Sequence, residues 1–323
     1  MGRGQVGERL QGIRVLDFTQ LLPGPFATKR LAEMGAEVMK VEPPGGDPAR
    51  WLGRTKESTG IVYLANNDHK HTITIDLKTA QGLEQALKIA ATVDVVLEGF
   101  RPGTADRLGI GYEQIKSINP SIVYCSLTGY GQPPNRLSHL AGHDLNYVAT
   151  SGLLSQMTDS AGKPIVPRVQ FADLIGGLVA VEGILAALLQ KARTGQGDYI
   201  DVAMMSALQG FLHIHAMSES ILGVEDGIHE ITGRYVCYHL YETKDRRTMS
   251  LAALEEKFWR NFCLAVNRPD WIDHHLAPAT DDDPWYREIK ALFLTRTMGE
   301  WTTLGEAADC CLQPVLTIHE AFR

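Results

Sequence analysis

Three short strings carry side chains able to move a proton or attack a carbonyl carbon. They are His143 in AGHDLNY, Asp173 in FADLIGG and Glu255 in SLAALEEKFW. A carboxylate can serve as nucleophile or general base, and an imidazole gives and takes protons near neutral pH. Each residue also has a purely structural reading. Asp173 stands just before the apolar stretch LIGGLVAVEGILAALLQ, where an aspartate accepting backbone N–H bonds stabilises a helix start by ~1 kcal/mol. An isolated histidine is commonly a satisfied surface or core residue, and Glu255 suits a solvated helix face. Only a tertiary fold could bring these residues together. No metal pattern accompanies them: none of Cys125, Cys237, Cys263, Cys310 and Cys311 forms CxxC, and no histidine pair has zinc spacing.

The elements that must position these groups alternate in type. IRVLDF (13–18) reads as a strand, LLPGP as a break and FATKRLAEM (26–34) as a helix stopped by Gly35. EVMKVE (37–42) reads as a second strand, which completes a βαβ unit. HTITIDL (71–77), DVVLEGF (94–100) and IVYCSLTGYG (122–131) repeat the strand pattern, with a helix over 80–93. This rhythm predicts an α/β fold with a parallel sheet and crossover helices. No GxGxxG follows the first strand, so the usual dinucleotide turn is missing from a nucleotide-binding-like topology. Residues 173–191 predict a long, largely buried helix. The large domain spans 1–222, GVEDGIHEITGR (223–234) reads as a linker, and 235–323 as a smaller α+β domain holding a strand pair and then helices. The run DDDP (281–284) predicts a solvated helix start.

Composition narrows the class. The chain has 323 residues, 44% hydrophobic and 21% charged, the balance of a globular protein with a sizeable core. A net charge of −7 argues against a nucleic-acid footprint. No segment reaches about 18 continuous apolar residues, so no membrane span is expected. The opening MGRGQVGERLQG has no apolar h-region, and Val6 occupies the position where a myristoylation signal has Ser or Thr. Reduced cysteines and the absence of a signal predict a cytoplasmic protein.

Six strings, in order, carry a resemblance: LLPGPFATKRLAEMGAEVMKVE, EGFRPGTADRLGIGY, SLTGYGQ, AGHDLNY, FADLIGG and GQGDYIDVAMM. Together they resemble the family III CoA-transferases and the α-methylacyl-CoA racemases, which share one fold. The match is dense from residue 12 to about 210 and looser over 233–320. It implies the family III fold and an acyl-CoA thioester as substrate, with coenzyme A entering as part of that substrate and no separate cofactor. It also implies a homodimer, interlocked through a C-terminal segment that returns to the large domain. Relatives are expected to continue beyond HEAFR, so that return segment is expected to be missing here.

The resemblance implies roles residue by residue. Asp173 corresponds to the carboxylate that attacks the thioester in transferases and exchanges the α-proton in racemases. His143 matches the second acid/base of the racemase motif, and the same string places Gly142, Asp144 and Tyr147 beside the substrate. Glu255 matches a glutamate that orients the histidine. Here, however, Glu256 replaces the usual proline, and KDRRTMS replaces a glycine-bearing turn. Gly176 and Gly177 would let backbone and ligand approach, with amides at the helix start near Asp173 stabilising the enolate oxygen. Lys40, Lys70 and Arg101 match coenzyme A-binding positions, although NNDHKH (66–71) is less basic than the family's run. Met204, Met205 and Met217 would carry the acyl chain, because methionine adapts to varied apolar shapes. The implied activity is a 2-methylacyl-CoA racemase. The alternatives are a transferase working through an aspartyl-CoA anhydride and an inactive CoA-binding paralogue.

Overall fold

The computed structural model describes residues 7–54, 58–159, 161–225 and 227–323. The first residues of the chain, where the myristoylation reading falls, lie outside these. The chain divides between Leu212 and His213 into two compact units. The sequence-based linker at 223–234 lies ten residues later, so the helix over 213–222 groups with the second unit.

The first unit is built on six strands: β1 (Arg14–Asp17), β2 (Glu37–Glu42), β3 (Lys70–Thr74), β4 (Val95–Glu98), β5 (Val123–Thr128) and β6 (Asp198–Ala203). They form one sheet in the order β3-β2-β1-β4-β5-β6, and every pairing is parallel. All residues of β4 and β5 are buried. That is why their sequences are continuous apolar runs rather than alternations. Successive side chains point to opposite faces and feed two cores. Val15, Val95, Leu97, Val123 and Cys125 enter one, while Leu16, Val96 and Tyr124 enter the other.

Helices cover both faces. In chain order they are α1 (Pro23–Glu33), α2 (Ile61–Asn66), α3 (Ala80–Ala90), α4 (Thr104–Arg107), α5 (Tyr112–Ile118), α6 (Asp144–Ser151), α7 (Phe171–Thr194) and α8 (Met204–Phe211). α1 and α7 pack on the first core, α3 and α5 on the second. The expected break at LLPGP is instead the first turn of α1, which starts at Pro23. Proline suits the first helical positions, since its missing N–H has no intrahelical partner there. α7 is long and apolar enough to cross a membrane by length and composition alone. Here it is a core helix that buries Gly176, Gly177, Ala180, Val181 and Ile184.

The strand order sets the position of a site. The chain runs outward from β1 to β3, then crosses back to β4 on the other side of β1. At such a switch point the loops leaving neighbouring strands part, and a crevice opens at the carboxyl ends.

The second unit begins with α9 (His213–Leu222) and contains an antiparallel sheet of β7 (Tyr238–Glu242), β8 (Thr248–Ala252) and β9 (Leu312–Pro314). Helices α10 (Glu256–Ala265), α11 (Pro284–Phe293), α12 (Met298–Ala308) and α13 (Ile318–Ala321) complete it. Its core is aromatic, with Trp259, Trp271, Trp301, Phe262 and Phe293 fully buried. The expected strand pair is present, and β9 joins it as a third strand. The DDDP run starts a helix as anticipated, because Asp283 caps α11 by accepting the Tyr286 amide at 3.0 Å.

Candidate active site

A cavity of about 210 Å³ lies at the carboxyl ends of β1, β4 and β5, at the switch point. Its lining joins the turn after β1 (Thr19–Gly24), the turn after β4 (Gly99–Pro102), the start of α6 (Gly142, His143, Tyr147), the first turn of α7 (Asp173) and Met204. Six residues singled out in the sequence therefore meet in one place: Arg101, Gly142, His143, Tyr147, Asp173 and Met204.

The start of α6 is tightly specified. His143 is the N-cap residue, in extended backbone, and its N–H donates to Asn146 Oδ1 at 3.0 Å. Its side chain is exposed and lines the cavity. The buried Tyr147 donates its hydroxyl to Gly142 O at 2.6 Å and meets Tyr130 edge-on, with ring centroids 5.0 Å apart. Burial pushes the Tyr147 hydroxyl up to about 12, so it stays a hydrogen-bond donor at neutral pH.

Asp173 is the third residue of α7, yet it does not cap the helix. The amides of Ala172 and Asp173 donate instead to Asp144 Oδ1, at 2.7 and 3.2 Å. Among the described residues no group donates to the Asp173 carboxylate. Burial first, and the charge of Asp144 second, raise its pKa from 3.8 to about 7. A carboxyl group poised near neutrality can both take and return a proton. The expected use of α7 amides to hold an enolate oxygen is corrected by the same bonds. The Phe171 and Leu174 amides also have acceptors, Val169 O and Gln170 O. Every first-turn amide of α7 is thus already committed.

Two lysines expected at the coenzyme A phosphates are elsewhere occupied. Lys40 and Lys70 have completely buried side chains. Lys40 Nζ donates to Thr19 O at 2.7 Å and lies 2.9 Å from Asp47 Oδ2. Lys70 Nζ donates to Pro25 O at 2.8 Å and to Asn67 Oδ1 at 2.9 Å, with Asp17 Oδ2 at 3.3 Å. Burial lowers Lys70 to about 8 against the opposing pull of Asp17. Asp47 also accepts the Leu21 amide at 3.0 Å, where the backbone is left-handed with φ 66°. These buried pairs hold the β1–α1 turn that forms one cavity wall. Their ammonium groups are spent inside the protein, because a buried charge without a partner is too costly to keep.

Arg101 fits its expected place. It is exposed, lines the cavity, and makes no ion pair among the described residues. It also borders a neighbouring cavity of about 190 Å³ lined by Glu98, Tyr112, Tyr124, Ser126 and Tyr199.

The remaining expectations divide. Gly176 and Gly177 are packing positions rather than ligand contacts. A Cβ on Gly176 would come within 2.5 Å of Met204, and one on Gly177 within 2.7 Å of Pro23 O. Met204 reaches the cavity, Met205 packs against the first core, and Met217 lies exposed on α9 in the second unit. The three methionines therefore do not form one surface within the first unit. Glu255 belongs to the second unit, where it is the exposed N-cap residue of α10. Sequence reasoning missed Gln20, Tyr130 and Ser138 on the cavity wall, as well as the tethering carboxylates Asp17 and Asp47. Asp17 could have been noticed as an acid inside the apolar run VLDF.

Known proteins share this fold and sequence pattern. The pattern of CoA-transferase family III matches residues 10–323. The chain is 35% identical to mouse (Mus musculus) succinyl-CoA:glutarate CoA-transferase, covering 97% of this chain and 73% of that protein. It is 34% identical to human (Homo sapiens) α-methylacyl-CoA racemase, covering 96% and 78%. The crystal structure of Rv3272 from M. tuberculosis superposes with a TM-score of 0.85 at 32% identity, covering 98% of this chain and 86% of that one. With the fold, the sequence pattern and these relatives in accord, the chain belongs to CoA-transferase family III.

Proposed function

We propose that this protein is a 2-methylacyl-CoA racemase-like isomerase, which interconverts 2R and 2S thioesters by proton exchange at the α-carbon. The observation that carries the reading is the pairing of His143 and the unpartnered Asp173 carboxyl on one cavity. Racemisation needs one group to remove the α-proton from one face and another to protonate the opposite face. Asp173, ionising near neutrality, takes or returns a proton on one side, and the His143 imidazole does so on the other. The thioester oxygen gains negative charge during this step. The Asp144 and Leu145 amides at the start of α6, next to His143, are suitable donors to it, because helix starts carry partial positive charge, whereas the Asn146 and Tyr147 amides donate to His143 O. Arg101 supplies positive charge for the coenzyme A portion, and Met204 adapts to the acyl group beside the reacting carbon. The reading extends to a cytoplasmic homodimer that needs no cofactor beyond the coenzyme A of its substrate.

A second reading rests on the same carboxylate. As a nucleophile, Asp173 would attack the thioester carbonyl and pass coenzyme A to an acceptor acid, as the name of the mouse relative describes for that protein. His143 then has no necessary task. The two separate in one experiment: a (2R)-2-methylacyl-CoA is incubated in deuterated water with no acceptor acid. The isomerase incorporates deuterium at C2 and scrambles the epimers, and His143→Ala lowers epimer interconversion by at least about a hundredfold. Absence of exchange, with coenzyme A transfer once an acid is added, overturns the isomerase reading in favour of the transferase.

A further inference from the structure

An aspartate in the first turn of a helix is ordinarily pulled to low pKa, because the open amides and the helix dipole favour its charged form. Asp173 escapes this. The residue at the α7 N-cap position, Gln170, makes no side-chain cap bond. The cap comes from a different helix: Asp144, at the start of α6, reaches across to the Ala172 and Asp173 amides.

Resting on the isomerase reading above, we propose that Asp144 is a positioning residue for Asp173: by occupying the α7 amides it leaves the Asp173 carboxyl without donors and open to proton exchange in the cavity. One side chain thereby performs two tasks that oppose each other at an ordinary helix start. It satisfies the helix, and it denies the neighbouring acid the bonds that would keep it ionised. Its own negative charge acts in the same direction, and the pKa of Asp173 is raised accordingly.

The other titratable groups around Asp173 do not reverse this. His143 and Tyr147 come from α6, Tyr130 from the turn after β5 and Arg101 from the turn after β4, and none of them donates to the carboxylate. α1 offers Lys29 and Arg30, both paired with Glu33. β6 offers Asp198 and Asp201, which accept the Tyr199 and Gln132 amides. β5 and α8 carry no charged side chain.

The test uses the full chain with 13C-labelled aspartate, and the Asp173 carboxyl resonance is assigned by its loss in Asp173→Asn. Asp144→Asn keeps an oxygen to accept the α7 amides but removes the charge. Its Asp173 midpoint should fall by about half to one pH unit. Asp144→Ala also frees the amides, and the midpoint should fall further, by about one to two units. The acid limb of the pH profile for α-deuterium exchange should move by the same amounts. A titration of Asp173 in Asp144→Ala that superimposes on the parent's overturns the proposal, whereas the Asn variant measures the charge alone. Should Asp144→Ala fail to fold, Asp144→Ser, whose side chain is too short to reach the α7 amides, decides in its place. The resonance reports on Asp173 without turnover. Shifted midpoints with no exchange activity therefore retain the positioning role and reject the isomerase. Exchange with unshifted midpoints does the reverse.

Discussion

Asp173→Asn is expected to lose at least about a thousandfold in α-proton exchange while melting a few degrees above the parent at pH 8. The first effect follows from deleting one acid/base of the proposed isomerase, a change that typically costs 10²–10⁴-fold. Coenzyme A transfer, if the protein performs it, falls with it, because the same oxygen would be the nucleophile. The second effect follows from the environment of the carboxyl. Folding raises its pKa from 3.8 to about 7, through burial and then the Asp144 charge. Between these values the folded protein holds a proton that the unfolded chain has released. Stability tied to this group is thus fully present below pH 3.8 and is lost as pH rises through about 7. Asparagine carries no charge to penalise. The variant's advantage should be absent near pH 3.5, grow between pH 4 and 7, and level off above. After allowance for solvent screening through the open cavity, it amounts to about 1–2 kcal/mol, or a few degrees. Calorimetry across this range, with activity measured in parallel, checks both halves. A variant that is inactive merely because it unfolds would show the opposite sign in Tm.

Lys40→Ala is expected to destabilise the first unit severely, by about 3–5 kcal/mol, because it strands the Asp47 carboxylate in a completely buried position. It also removes the donor to Thr19 O and so loosens the turn that walls the cavity. Replacing both partners, Lys40→Met with Asp47→Leu, should restore only part of the loss: no uncompensated charge remains, but the Leu21 and Ala49 amides lose their acceptor. Chemical denaturation of the singles and the double measures this coupling. The alternative assignment of Lys40 to a coenzyme A phosphate makes a different forecast: weaker ligand binding with stability unchanged. The two outcomes cannot be confused, because one moves the unfolding midpoint and the other moves only an affinity.

The contrast between Lys40 and Asp173 shows what could be read from the chain. β2 was placed at its observed bounds, 37–42, because EVMKVE is a compact run between turn signals. The β4 and β5 runs stood out because strands buried on both faces leave continuous apolar stretches. The long helix was evident from its apolar length. The start of α1 was not, since Pro23 and Pro25 resemble a break until the helix is known to begin on them. β9 was missed because three residues carry no periodicity.

At the site, His143, Asp173 and Arg101 were recognisable from short strings. The burial of the lysines was not, because Asp17 and Asp47 become their partners only through β-sheet register and the β1–α1 turn. The same holds for Asp144. Its acceptance of the α7 amides links residues 28 and 29 positions apart, and nothing local in AGHDLNY announces it. The methionines failed for a related reason. Met204 and Met205 are adjacent in sequence and both pack in the first core, yet of the two only Met204 lines the cavity, and Met217 belongs to another unit.

The most direct test of the account is a crystal structure of the protein with a 2-methylacyl-CoA bound. The α-carbon should lie between the His143 imidazole and the Asp173 carboxylate, each within about 3–4 Å and on opposite faces. A thioester seated outside this cavity, or one whose α-carbon meets both groups from the same face, would contradict it.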